Sequence, residues 1–82
     1  MDEVTMRDRL AVCFHVVFPQ LPTDEITRAD QSTLDAWDSV AGITLVSVVE
    51  DEFRVTMDLE RLPELTSFSA VLDYLRELQA VA

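Results

Sequence analysis

An 82-residue chain in which 49% of the residues are hydrophobic can form one small domain with a packed interior, and we expect that single domain to span residues 1–82. Sixteen acidic residues against six basic ones leave a net charge of −10, which makes nucleic acids and anionic membranes poor partners and basic protein surfaces favourable ones. The single cysteine, Cys13, gives no internal disulfide and no zinc site, and no leader-like segment or run of about 18 apolar residues is present, so we expect a soluble, cytoplasmic protein.

The first predicted helix ends before Pro19 and has apolar residues along one face. A spacing of three and four residues selects Met6, Leu10, Cys13, Phe14 and Val17. His15 falls at the edge of this face. Because no second metal-binding residue is in phase with it, we interpret His15 as a packing or surface residue and predict no metal site.

The segment from Pro19 to Trp37 is predicted to be a long connection, because it contains two prolines and many Thr, Asp and Ser residues. Structureless loops of this length are uncommon in compact domains. We therefore expect its isolated apolar residues to anchor it to the core; these are Leu21, Ile26, Leu34 and Trp37.

The second predicted helix begins around Ser39, and its two faces differ in character. The expected core face consists of Gly42, Leu45, Val46, Val49 and Phe53. The opposite face combines two apolar residues with a mostly polar strip: Val40, Ile43, Thr44, Ser47, Glu50 and Asp51. This combination suggests a docking surface, although scattered exposed apolar residues are also normal on soluble proteins.

Two further helices are predicted after Phe53. Leu59 and Leu62 form one apolar turn of a brief third helix, which Pro63 should end. The last helix is capped by Thr66 or Ser67 and has an apolar stripe at Phe68, Val71, Leu72, Leu75 and Leu78. No segment alternates as a strand does, so the predicted class is all-α.

Ser39 stands at the start of the second helix, where Asp or Ser usually caps free backbone N–H groups. A hydrolase would need a base and an oxyanion device beside the serine, but the chain has one histidine, His15, and no G-x-S-x-G turn. The residues around Ser39 therefore leave two interpretations of it open: a helix cap and a chemical attachment point.

The stretch "DSVAGITLVSVVEDEF" resembles the modified-serine motif and second helix of the acyl carrier protein family. It has the aspartate-serine-apolar triplet Asp38-Ser39-Val40, then apolar residues at set offsets, an acidic cluster and Phe53. Downstream, "LTSFSAVLDYL" is similar to the family's fourth helix, and upstream "DEITRADQSTLDAWDS" is similar to the loop before its serine. The resemblance implies a four-helix bundle with a long loop between helices one and two and a short third helix.

The resemblance also implies a function. A separate phosphopantetheinyl transferase would use coenzyme A and Mg²⁺ to attach 4′-phosphopantetheine to Ser39, beside the motif residue Asp38. The chain would then be a monomeric acyl acceptor rather than an enzyme, presenting thioester-linked acyl groups to acyl-loading and acyl-processing enzymes with basic docking surfaces. An aminoacyl, peptidyl or D-alanyl carrier stays open as an alternative, as does a helical protein-interaction module without a prosthetic group.

Two features depart from the family's pattern. Trp37 replaces the usual glycine before the aspartate, and Ala41, Thr44 and Ser47 leave the exposed side of the second helix almost free of charge. The second departure bears on partner choice. We therefore expect a dedicated pathway of specialised lipid or polyketide (secondary) metabolism rather than general fatty acid biosynthesis.

Three acids lie near the C-terminal end of the second helix, where carboxylates oppose the helix dipole by about 0.3–1 kcal/mol each. They are Glu50, Asp51 and Glu52. We expect that local stability does not account for them and that a basic partner surface does.

Overall fold

The computed structural model describes residues 2–80, and all the repeating secondary structure in that range is helical. The elements are α1 (Glu3–Val17), α2 (Thr23–Ile26), α3 (Ser39–Phe53), a 3₁₀ helix (Leu59–Glu64) and α4 (Phe68–Ala80). The prediction of an all-α fold is confirmed over this range. No helix within residues 2–80 has the length and apolar character needed to cross a bilayer.

α1 begins before its first buried residue because a side chain caps it. Oδ1 of Asp2 accepts a hydrogen bond from the backbone N–H of Thr5 at 2.8 Å, which satisfies one of the free donors of the first turn. The predicted core face is buried at Met6, Leu10, Cys13 and Phe14. Val17, in the last turn, is only half-buried.

The predicted connection contains the single turn of α2 and is anchored by its apolar residues. Ile26 and Trp37 are buried, whereas Leu21 and Leu34 are half-buried and pack against the core. An isolated antiparallel bridge between Asp30 and Ser67 adds backbone hydrogen bonds of 2.8 and 3.0 Å on either side of the pair. This bridge holds the connection against the start of α4.

α3 has the core face that its periodicity predicts. All five residues of that face are buried: Gly42, Leu45, Val46, Val49 and Phe53. The helix packs mainly against α1. Its first residue, Ser39, therefore starts an element whose orientation is set by a continuous apolar stripe.

The short third helix is present but differs from the prediction in type and extent. It is a 3₁₀ helix that continues through Pro63, so the expectation that Pro63 would end it is wrong. A 3₁₀ turn accommodates the missing donor because the next backbone bond, from Leu65 N–H to the Leu62 carbonyl at 3.0 Å, still forms. Only the second turn of this helix meets the core, so Leu62 packs there while Leu59 is 59% exposed.

α4 is capped by Ser67, one of the two predicted caps, whose Oγ accepts a hydrogen bond from the N–H of Ala70 at 3.1 Å. Its predicted stripe is buried at Phe68, Val71, Leu72 and Leu75, and half-buried at Leu78. Tyr74 is also buried, which the sequence analysis missed, and its hydroxyl accepts a hydrogen bond from the N–H of Asp58 at 2.9 Å. Tyr74 thus holds the start of the 3₁₀ helix against α4.

Aromatic packing fixes the end of the long connection. The Phe14 ring centroid lies 5.4 Å from that of Trp37, 5.1 Å from that of Phe68 and 6.1 Å from that of Phe18. Trp37 is the residue just before the cap of α3, so this cluster sets where Ser39 lies relative to the core.

Candidate functional site

The start of α3 divides two roles between neighbouring residues. Oδ1 of Asp38 accepts a hydrogen bond from the N–H of Ala41 at 2.9 Å, so Asp38 is the helix cap. Ser39 is the first helical residue, and its side chain is exposed. No described residue hydrogen-bonds to its hydroxyl, which is therefore available for chemistry.

A groove of about 200 Å³ lies beside Ser39. Its lining combines residues from the connection, α3 and the 3₁₀ helix: Gln31, Trp37, Asp38, Ser39, Gly42, Leu62, Pro63 and Leu65. Most of the inner wall is apolar. The indole nitrogen of Trp37 and the backbone of Gly42 lie close together in this wall, since a Cβ added at Gly42 would stand 3.6 Å from Nε1 of Trp37.

A smaller apolar cavity continues the groove inward. It shares Gly42, Leu62 and Leu65 with the groove and is otherwise lined by Leu45, Val46, Val49, Met57 and Val71. Its volume of about 10 Å³ is at the limit for holding one water molecule. The seam between α3 and the 3₁₀ helix is therefore almost closed.

Gly42 interrupts an otherwise good helix, because a glycine in a helix interior costs roughly 0.5–1 kcal/mol relative to alanine. Steric conflict does not require it, since an added Cβ would meet Trp37 Nε1 at 3.6 Å and Leu62 Cδ1 at 3.9 Å, both ordinary contact distances. What the glycine provides is open space in the groove wall. The periodicity of α3 predicts Gly42 only as a core-face residue. The cost of a glycine inside a helix is the sequence signal that points to the groove.

The predicted docking face of α3 is largely exposed. Val40 and Ile43 are 73% and 50% exposed, and Thr44, Ser47 and Asp51 are also exposed. The first three turns of this face carry no charge. Ala41 differs from the expectation, because it is half-buried and packs against the core.

The acids at the end of α3 have partners within the chain. Glu50 is half-buried, and its Oε2 accepts a hydrogen bond from the N–H of Met57 at 2.7 Å. Oε2 of Glu52 accepts one from Nε of Arg9 at 2.6 Å. The expectation that local stability does not account for these acids is therefore wrong for Glu50 and Glu52, because residues distant in sequence supply the complementary donors. Asp51 is exposed, as expected.

Neither His15 nor Cys13 belongs to the groove. His15 is half-buried on α1, consistent with a packing or surface residue, and does not line the space beside Ser39. Cys13 is 1% exposed, and burial, reinforced by the charge of Glu52, raises the pKa of its thiol to about 11. Among residues 2–80, no three His, Cys, Asp or Glu side chains are placed to share a metal ion.

Comparison with known proteins gives one local similarity. A 44-residue stretch, 54% of the chain, is 39% identical to part of the non-reducing polyketide synthase AC of Didymella fabae. The chain spans 2% of the length of that protein. No protein-family model and no solved structure matches the chain.

Proposed function

We propose that this chain is a carrier protein that receives 4′-phosphopantetheine on Ser39 and presents acyl groups to partner enzymes. The observation that carries the proposal is the arrangement at the start of α3. Asp38 caps the helix, which leaves the exposed Ser39 hydroxyl available at the mouth of a groove. The local similarity to a polyketide synthase supports the proposal, because enzymes of that class contain acyl carrier domains.

The residues present fit the proposed group. When bound, 4′-phosphopantetheine supplies a flexible arm ending in a thiol, on which an acyl group is carried as a thioester. The groove offers apolar walls from Leu62, Pro63 and Leu65, and Gly42 adds no side chain to it. The first turn of α3 has no basic side chain, so the positive end of the helix dipole is the local charge that favours the phosphate. Covalent attachment offsets the repulsion from nearby acids.

In this proposal Ser39 is an acceptor and not a catalyst. A nucleophilic serine in a hydrolase needs a base within hydrogen-bond reach, and the groove lining contains no histidine. We therefore assign the removal of the hydroxyl proton to the transferase. The contribution of this chain is to expose Ser39, hold it at a fixed helix start and provide the groove.

The test is to incubate the purified chain with coenzyme A, Mg²⁺ and a broad-specificity phosphopantetheinyl transferase. We expect the intact mass to increase by one arm per chain and one fast-reacting thiol to appear. The folded starting protein should show none, because Cys13 is buried and its pKa is raised. Ser39→Ala should abolish both signals, whereas Ser69→Ala, at an exposed serine of α4, should leave them unchanged.

Labelling that persists in Ser39→Ala contradicts the assignment. If the folded wild-type chain accepts no arm, the carrier proposal fails and a protein-interaction module becomes the better-supported function. The observation that favours this second candidate is the exposure of Val40 and Ile43, because large apolar side chains on an uncharged strip are typical of a docking surface.

We further propose that the carrier serves a dedicated pathway, such as polyketide metabolism. The uncharged first turns of α3 support this, since a basic patch shaped for acids along the whole helix would find few partners there. In the holo protein, Thr44→Glu with Ser47→Glu should improve turnover by a general fatty acid ketosynthase by about tenfold, because surface ion pairs contribute ~0–1 kcal/mol each. A wild-type chain already as good a substrate as a housekeeping carrier, and insensitive to the added acids, contradicts this.

A further inference from the structure

Trp37 is a buried residue whose polar atom has no acceptor in the described chain. Its side chain is 3% exposed and packs against Phe14 and Phe18, with ring centroids 5.4 and 5.5 Å away. Buried tryptophans usually place the indole N–H against a hydrogen-bond partner. Here no described residue accepts from it, but Nε1 itself is not fully buried. The ring lines the groove beside Ser39, so solvent in the groove reaches the N–H.

Because Trp37 lines the groove, a ligand bound in the groove would lie against the indole N–H. In the absence of a ligand, water entering the groove can accept the hydrogen bond. Any group that fills the groove displaces that water, and the donor is then left unsatisfied unless the group brings its own acceptor. The remaining wall contacts come largely from apolar side chains. A ligand with an acceptor near Trp37 would therefore satisfy the indole N–H, whereas a purely hydrocarbon ligand would leave it without a hydrogen bond.

Gly42 keeps the N–H accessible. A methyl group at this position would stand 3.6 Å from Nε1 of Trp37 and 3.9 Å from Cδ1 of Leu62, which fills the space without a clash. An alanine would therefore fit the helix and cover the donor. The indole N–H without an acceptor and the methyl-sized space beside Gly42 are two separate observations that indicate the same small recognition point.

We propose that the indole N–H of Trp37 donates a hydrogen bond to a carbonyl oxygen carried on Ser39, and that Gly42 leaves the space for it. The proposal rests on the proposed carrier function and deepens it by naming the chemistry that the groove recognises. The carbonyl comes from an amide of the arm, from the thioester itself or from a keto group of the acyl chain. If it is a keto group, the groove favours oxygenated acyl chains over saturated ones.

The chain contains one tryptophan, so the experiment has one indole N–H resonance to follow in a ¹⁵N–¹H correlation spectrum. Four forms of the full chain are compared: unmodified, holo, butyryl-loaded and acetoacetyl-loaded, each verified by intact mass. Butyryl and acetoacetyl groups have the same carbon chain and differ by one keto oxygen. We expect the indole proton to move downfield and its exchange with solvent to slow by about tenfold on loading.

The form in which the change first occurs identifies the acceptor. A change already complete in the holo form assigns the bond to the arm. A change that first occurs in both acyl forms assigns it to the thioester carbonyl, and a change found with acetoacetyl but not with butyryl assigns it to the keto oxygen. A resonance that stays the same in all four forms, or that moves with no slowing of exchange, overturns the proposal.

Gly42→Ala tests whether the space beside Gly42 is needed for the hydrogen bond from Trp37. Holo Gly42→Ala, verified by intact mass, should lose the slowed exchange, while holo Ser69→Ala, which adds an alanine to the exposed side of α4, should retain it. Protection that persists in Gly42→Ala overturns the role of the glycine. A wild-type chain that gains mass at Ser39 with no indole response refutes this inference alone, whereas a chain that gains no mass refutes the carrier function and this inference with it.

Discussion

Arg54 is the non-glycine residue with a positive φ among residues 2–80. It ends α3 at φ 54° and ψ 47°, in the left-handed region that costs an L-residue with a side chain roughly 1–2 kcal/mol. Its N–H donates to the carbonyl of Glu50. This is the helix-ending arrangement in which glycine is usual, because glycine has no Cβ to conflict with the carbonyl.

We expect Arg54→Gly to be about 1 kcal/mol more stable than Arg54→Ala in urea unfolding, after the gain from relieved strain is reduced by the flexibility of glycine. The two variants lose the same charge, so their difference isolates the backbone geometry. If alanine is as stable as glycine at this position, the left-handed conformation is not costly here.

Arg9, on α1, bonds to both the side chain and the backbone of Glu52 at the end of α3. Nε of Arg9 donates to Oε2 of Glu52 at 2.6 Å, and Nη2 donates to the backbone carbonyl of Glu52, also at 2.6 Å. The guanidinium carbon lies 5.2 Å from the centroid of the Phe53 ring. Arg9 thus places a positive charge at the negative end of the α3 dipole. This charge offsets the unfavourable interaction of the nearby acids with the dipole.

We expect unequal losses of stability when this contact is cut from its two sides. Glu52→Gln removes one ion pair whose side chains are both 37% exposed, so the loss should be about 0.5 kcal/mol. Arg9→Met also removes the bond to the carbonyl and the contact with Phe53, so the loss should be about 1–2 kcal/mol.

Chemical unfolding of the two single variants and the double variant measures both losses and their coupling. Equal losses for Glu52→Gln and Arg9→Met would mean that the carbonyl and ring contacts contribute nothing, which contradicts the structural account of this helix contact.

At the scale of the whole molecule, charge repulsion acts across the entire fold. The chain has a net charge of −10 and a radius of gyration of only 11.7 Å. The screening length is about 30 Å at 0.01 M salt, comparable to the largest dimension of 35 Å, and about 8 Å at 0.15 M. Several arginines are already engaged in ion pairs, namely Arg7, Arg9, Arg61 and Arg76.

We expect the melting temperature to rise between 0.01 and 0.15 M NaCl, because salt screens the net repulsion more than it weakens surface ion pairs of ~0–1 kcal/mol. A titration with sucrose at matched osmolality controls for effects of an uncharged solute. A melting temperature that falls with NaCl would show that the ion pairs outweigh the repulsion.

The dependence of stability on pH should have a maximum in mildly acidic solution. As the pH falls from 7, partial protonation of the carboxylates first reduces the repulsion among the negative charges of the chain. Hydrogen bonds from Thr5 and Ser32 lower the pKa of Asp2 and Asp30 in the folded chain, and the Arg76 guanidinium lowers that of Glu3. A lowered pKa stabilises the fold above the unfolded carboxyl value, and this stabilisation is lost as the pH falls below about 4. Melting curves from pH 7 to pH 3 measure the profile, and a steady fall from neutral pH contradicts it.

The three long helices and the position of Ser39 could be predicted from the sequence by itself. The core faces of α1, α3 and α4 repeat every three to four residues, and burial of an apolar stripe follows from that local pattern. The aspartate-serine pair likewise marks the start of α3 within two adjacent residues. These features need no knowledge of how the helices pack.

Only the tertiary structure decided which neighbours the candidate site has. The groove beside Ser39 forms where Trp37, packed against Phe14 of α1, and Leu62, on the 3₁₀ helix, come together. The sequence predicts that Trp37 is anchored and that Leu62 lies on a short helix, but not that the two line the same groove. Glu52 forms its ion pair with Arg9, which lies 43 residues away along the chain. Such pairs depend on how separate helices pack against one another, so the sequence alone presented Glu52 as an unexplained acid and Gly42 as an ordinary core position.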